Sequence, residues 1–329
     1  MDINAILSNG IRAAFGPQAA AYALLAVGLN MHYGYTGLLN FGQVGFMLVG
    51  AYGVGISVAT FGLSLWAGVF VGIVGAVALA LLLGIPTLRL RSDYFAITTI
   101  AVAEILRLIV RSGPARDITG GPFGLQGIAT EFYALNPLPP GSFGVGPLTY
   151  PRNTLFVLLV TWTIALLATL LLIGLMGSPW GRVIKSIRED EDAARALGKN
   201  VFSYKMQSLV IGGVIGAMGG VMFAIAGSTV NADTYQPQVT FFAYTILILG
   251  GAASRFGPLL GAVVFWFLFS GINTGLRQAA SQGLLPDFLS ASGSTGAIAL
   301  STVGLALMLL MIFRPQGVLG NKREMMLDA

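Results

Sequence analysis

GRVIKSIREDEDAARALG, residues 181–198, holds four consecutive acids and four basic residues in a chain of 329 residues that is only 9% charged. So polar a block needs water, while the sequence on either side of it does not. Residues 154–177 and 207–227 are apolar runs of about 20 residues, the length an α-helix needs to cross a hydrocarbon core. The block reads as a loop at one face of a membrane, and the fold as spanning helices joined by such loops.

Composition agrees with a bilayer as solvent. The chain is 55% hydrophobic, contains 45 glycines and has a mean hydropathy of +0.81, well above a soluble domain with a polar surface. Nine apolar segments lie near 18–33, 39–60, 63–86, 94–112, 154–177, 207–227, 239–253, 257–276 and 295–313. Segment 239–253 is short for a full span, and 39–60 is interrupted by Gly42, Gly45, Gly50, Gly53 and Gly55, so either can be re-entrant. The expected fold is an all-α polytopic membrane protein of about nine transmembrane or partly re-entrant helices, forming a single domain over 1–329.

Several functions are excluded or disfavoured. There is no cysteine for a disulfide or thiolate metal site, and the single His32 rules out a multi-histidine centre. The opening MDINAILSNGIRAAF starts with an acid and is only mildly amphipathic, so no cleaved leader is expected. The net charge of +5 needs no nucleic acid, because membrane proteins retain Lys and Arg in cytoplasmic loops. With the block inside, Arg89, Arg91, the six basic residues from Arg182 to Lys205, Arg255, Arg314, Lys322 and Arg323 are cytoplasmic. Arg12, Arg107, Arg111, Arg116, Arg152 and Arg277 fall at or beyond the outer side. That distribution of the 18 basic residues places the C-terminus in the cytoplasm, the connection 178–206 inside and the Pro- and Gly-rich connection 112–153 outside as turns and short surface structure.

As a helix, the block carries a stripe of Ile184, Ile187, Ala194, Leu197 and Val201, with Arg188–Asp192 and Glu191–Arg195 as pairs four apart. Ser178 and Pro179 suit its start and Gly198 its stop. The order G-R-x-x-x-[S/A]-I-R-E-D-E-x-A-A-x-x-L-G-x-N-V, followed by Tyr204 and Lys205, resembles the coupling loop of ABC importer permeases, in detail the branched-chain amino acid (LivM-type) family. GYTGLLNFGQVGFMLVGAY (34–52), YFAITTIAVAEILRLIV (94–110), TGGPFGL (119–125), ILGGAASRFGPLLGA (248–262) and LLMIFRPQGVLG (309–320) resemble stations of that family in the same order. One departure is D-A-A-R-A-L-G where importer loops generally carry E-A-A-x-x-x-G, which shortens one side chain at Asp192.

The resemblance implies a bacterial or archaeal inner-membrane permease that works by alternating access and is itself no enzyme. Its implied partners are two cytoplasmic ATPase subunits, a second related permease, an external solute-binding protein and the lipid bilayer, with no nucleic acid. No cofactor is expected in this chain, ATP and Mg residing on the partners. A phosphate-cradling G-x-x-x-x-G-K-S/T loop is absent: Gly198-Lys199 is followed by Asn200, and Ala193 stands where the first glycine belongs. In the ATPase contact, Gly181 and Gly198 would bound the helix, Ala193, Ala194 and Leu197 would fill the partner's groove, and Arg188 and Asp192 would fix its register. A urea or short-amide importer permease is the alternative within the class, and an ion-coupled secondary transporter using Glu104 the alternative outside it.

Ionisable groups at membrane depth are costly and mark candidate paths, which singles out Glu104 and Arg107. An ion pair holding helices together is the first reading and contact with a zwitterionic substrate the second. Asn30, Asn40, Gln43, Thr98 and Thr99 either line a path or hydrogen-bond between helices, and His32 reads as an interface residue rather than a proton relay. Outside, Thr119, Gly120 and Gly121 of TGGPFGL and Asp233, with Asn231, Tyr235 and Gln236, are candidate contacts for the binding protein.

Overall fold

The computed structural model describes residues 2–144, 146, 149–282, 294–313 and 316–320; the expected cytoplasmic Arg314, Lys322 and Arg323 lie outside them. All nine apolar segments are helical over most of their length. In chain order the helices are α1 (Ile3–Phe15), α2 (Pro17–Leu29), α3 (Gln43–Gly55), α4 (Leu65–Thr87), α5 (Ser92–Arg111), α6 (Arg116–Thr119), α7 (Thr130–Ala134), α8 (Arg152–Gly177), α9 (Pro179–Glu189), α10 (Glu191–Ala196), α11 (Val201–Gly227), α12 (Gln238–Gly250), α13 (Gly257–Ser281) and α14 (Ser294–Phe313). Two of them widen at their ends into π-helical turns, Asn30–Tyr35 after α2 and Ile56–Thr60 after α3. Five stretches are long and apolar enough to cross a membrane: Gln43–Thr60, Leu65–Thr87, Arg152–Gly177, Val201–Gly227 and Gly257–Ser281. α2, α5, α12 and α14 occupy the remaining segments without meeting that measure among the described residues. α5 carries Asp93, Glu104, Arg107 and Arg111, and α12 has only 13 residues.

The mildly amphipathic N-terminal stretch forms the helix α1. The Asp2 carboxylate caps it by accepting from the N–H groups of Asn4 and Ala5, and the helix packs along α13. α2 is buried on every side from Ala19 to Leu29, which explains its lack of a polar face: it is the central helix, packed by α11, α8, α13 and α12. Its crossing with α11 is nearly backbone on backbone. A Cβ at Gly28 would run into the Gly212 carbonyl, and one at Gly212 into the His32 ring, so glycine is required on both helices. By contrast α4 and α8 leave Phe70, Leu82, Leu167 and Leu171 outward. Such apolar faces are stable against lipid and costly in water.

The connections segregate to two ends. At one end lie 34–39, 87–92, 178–205, 251–256 and 316–320, tied by bonds from Arg188 to Gly34, Asn30 to Ser254, and Val318 and Leu319 to Leu249 and Gly250. At the other end, β1 (Leu125–Gln126) pairs antiparallel with β4 (Thr229–Val230), and β2 (Ser142–Phe143) with β3 (Tyr150–Pro151). Glu131 there accepts from the Leu65 N–H at the start of α4 at 2.6 Å. The described residues of the connection 112–153 are therefore short pieces pinned to helix ends.

Candidate functional site

The charged block is two helices, not the one its spacing predicts. α9 ends at Glu189, Asp190 turns extended (φ −152°, ψ 107°), and its carboxylate accepts from the N–H groups of Asp192 and Ala193, both at 2.9 Å, to start α10. Of the two predicted pairs, Glu191–Arg195 forms within α10 and Arg188–Asp192 does not. Arg195 bonds both Glu191 (2.9 Å) and Asp192 (2.8 Å), while Lys205 of α11 pairs with Glu191 and ties the block to the next helix. Arg188 does not reach Asp192; its Nη1 donates to the Gly34 carbonyl at 2.6 Å, inside the π-helical turn that follows α2.

The stripe divides accordingly. Ile187, Ala194 and Val201 form a small core with Val183 and Tyr204, so Ala194 faces inward and cannot fill a partner's groove. Gly181 is also buried, because a Cβ there would meet the α8 backbone at Met176. Asp192, Ala193, Leu197 and Gly198 remain outward. Leu197 is 78% exposed, an apolar knob at the tip of the most polar part of the chain, and Gly198 closes α10 in the left-handed conformation at φ +75°.

Behind the Arg188 contact lies a buried polar network. His32 stands between α2 and α11 with Nε2 at 3.1 Å from the Leu209 carbonyl and Nδ1 at 3.1 Å from Asn40 Nδ2. A carbonyl only accepts, so Nε2 carries the proton and Nδ1 accepts. Asn40 also donates to Gln43 Oε1 (3.0 Å) and accepts from the Gly42 N–H, and Gln43 Nε2 donates to the Gly212 carbonyl at 3.2 Å. Thr99 of α5 accepts from the Phe41 N–H at 3.1 Å. Thr98 is apart from this group, its hydroxyl turned back to the Tyr94 carbonyl of its own helix. Asn30 accepts from the Ala253 N–H and donates to the Ser254 carbonyl, holding Ala253 at φ +59°. These amides and hydroxyls are spent on joining helices, with Asn40, Gln43 and Thr99 wholly buried.

At the opposite end, residues assigned separately from sequence share one cluster. Arg107 makes a bidentate pair with Glu104 (2.9 and 2.5 Å) and reaches Asp233 at 3.2 Å, and Arg111 reaches the same Asp233 oxygen at 2.8 Å. Arg107 is 13% exposed and Glu104 34%. Asp233 thus joins the turn after α11 to α5. Thr119 is buried, its hydroxyl bonding the Val110 and Ala115 carbonyls, and Gly121 is buried beside it; both are corrected from surface contacts to parts of a folded turn. Gly120 and Gly124 make that turn at φ +75° and +71°, and a Cβ at Gly124 would strike the Val230 carbonyl. The side chain presented outward is Phe123, 72% exposed beneath the Arg116 guanidinium. Sequence reading passed over it, although an aromatic bracketed by glycines in a turn was the available signal.

Residues 13–313 match the family model for the branched-chain amino acid transport system permease component. The chain is 30% identical over 325 residues to the high-affinity branched-chain amino acid transport system permease protein LivM of Salmonella typhimurium, covering 92% of this chain and 68% of that one. It is 26% identical to the corresponding LivH protein of Escherichia coli and 25% identical to BraD of Pseudomonas aeruginosa, each alignment covering 92% of both chains.

Proposed function

The chain belongs to the family of branched-chain amino acid transport permease components, and from that premise we propose that it is the membrane subunit of an ABC importer passing branched-chain or other apolar amino acids by alternating access. ATP, with Mg, is hydrolysed on two cytoplasmic subunits docked against the exposed side of 190–198. A second related permease completes the path, and an external binding protein delivers substrate to the end that carries Phe123 and Asp233. The block and the C-terminus face the cytoplasm, a reading supported by residues 316–320 lying at the same end as the block and by the basic residues collected there.

The observation that carries this reading is the bond from Arg188 to the Gly34 carbonyl. It gives an exposed docking element a direct hold on the end of the central helix, one turn from the His32–Asn40–Gln43 network. Movement of the block then reaches the packed helices through a charged hydrogen bond rather than through solvent. Glu104 and Arg107 neutralise each other at the outer part of α5, where an unpaired charge would be prohibitive. Substrate contact there requires that the face of α5 be covered by the second permease.

The test is uptake by the full chain reconstituted with its permease and ATPase partners. Uptake that requires ATP and all partners supports the importer. Uptake by this chain alone, driven by a proton or sodium gradient, overturns it in favour of an ion-coupled carrier.

A further inference from the structure

Between the α8–α9 elbow and the loop 251–256 lies a cleft of about 460 Å³. Lys185 and Arg255 line it from opposite elements and are both exposed. Among the described residues neither forms an ion pair. Ile173 and Met176 form an apolar wall of the cleft, and past Phe256 and Leu319, which line both spaces, it adjoins a groove of about 400 Å³. That groove is lined only by apolar and aromatic side chains, among them Leu158, Trp162, Leu259 and Val263.

A cationic cup adjoining an apolar trough, beside spanning helices, is complementary to a single amphipathic anion. We propose that this is a binding site for an anionic phospholipid of the leaflet on the block's side, its phosphate between Lys185 and Arg255 and one acyl chain in the groove. Charge decides the occupant. An apolar helix of a partner would fill the groove and leave two cations unanswered, and a zwitterionic lipid would bring a third cation into the cup. The bound lipid clasps α9, the first half of the block, to the loop that Asn30 fixes at Ala253 and Ser254. It thereby joins the two elements flanking the Arg188–Gly34 contact.

The site is tested by native mass spectrometry of the full-length protein with phosphatidylglycerol or phosphatidylcholine of the same acyl chains. Wild type is expected to retain phosphatidylglycerol about tenfold over phosphatidylcholine, since two cations contribute to the difference. Lys185→Gln/Arg255→Gln abolishes the preference, whereas Lys185→Arg/Arg255→Lys keeps it and controls for folding. Leu259→Trp, which narrows the groove and leaves both charges, lowers retention of both lipids. Equal retention of the two lipids by wild type, or an unchanged preference in the glutamine variant, overturns the proposal. So does a glutamine variant that loses only a bound second copy or partner permease, because the groove is then a protein interface. The measurement does not use transport, so its failure is distinct from failure of the importer reading.

Discussion

Arg188 Nη1 donates to the Gly34 carbonyl across 154 residues of sequence, at 2.6 Å, and so fastens the charged block to the turn that ends the central helix. A hydrogen bond from a charged donor contributes about 1.5–3 kcal/mol. Arg188→Gln, which loses the charge and the reach, is expected to lower coupled uptake by about tenfold or more while the partners continue to hydrolyse ATP. Parallel uptake and hydrolysis assays on the reconstituted complex make the comparison. Equal loss of both activities would point to a docking defect instead.

Asp190 separates α9 from α10 by capping the second helix. Asp190→Ala removes both acceptor bonds and is expected to destabilise α10 by about 1 kcal/mol, with Asp190→Asn close to wild type. Hydrogen exchange over 191–196 should rise in the alanine variant and leave α11 unchanged.

Leu197 and Ala193 face outward and Ala194 inward, so substitutions along one short helix should separate. Leu197→Asp and Ala193→Glu are expected to shift stability by no more than about 0.5 kcal/mol and to abolish co-purification of the ATPase subunits. Ala194→Glu buries a carboxylate among Ile187, Val201 and Tyr204 and should instead lower the thermal unfolding temperature of the permease itself.

His32 is satisfied on both nitrogens in a buried setting. His32→Ala leaves the Leu209 carbonyl and an Asn40 N–H without their partner, at about 1–3 kcal/mol each. A lowered midpoint in detergent thermal unfolding, with no change in the pH dependence of uptake, is the expected pair of results. A shifted pH profile would restore the proton-relay reading.

Asp233 serves two arginines. In a double-mutant cycle, Asp233→Ala and Arg107→Ala are expected to couple by about 0.5–3 kcal/mol, measured by unfolding. Additive effects would mean that the turn after α11 and α5 are held together by packing alone.

Much of this architecture is legible in the sequence because lipid leaves few alternatives: a long apolar segment must satisfy its backbone internally, so all nine segments are helical. The polarity and amphipathic character of 181–198 were legible for the same reason. The break at Asp190 was hidden within four consecutive acids, where an N-cap looks like one more charge on a helix face. Long-range partners carried no local mark. Nothing near Arg188 names Gly34, nothing near Asp233 names Arg107, and the burial of Thr119 depends on how its hydroxyl meets α5. Gly28 and Gly212 were visible as two of 45 glycines, but their pairing belongs to the packing of α2 against α11.

The π-helical turn Asn30–Tyr35 is, in covalent terms, an α-helix with one residue too many. The wider turn absorbs that residue: were the same residues wound as an ordinary α-helix, everything beyond them would be rotated by about 100°. Relative to α2, the Gly34 carbonyl would then turn from Arg188, and the segment bearing Asn40 and Gln43 from α11. The wider turn is thus a phase setting: it fixes the angular register between the central helix and the segment that follows, and a further one-residue insertion here should be far less tolerated than one in the connection 112–153.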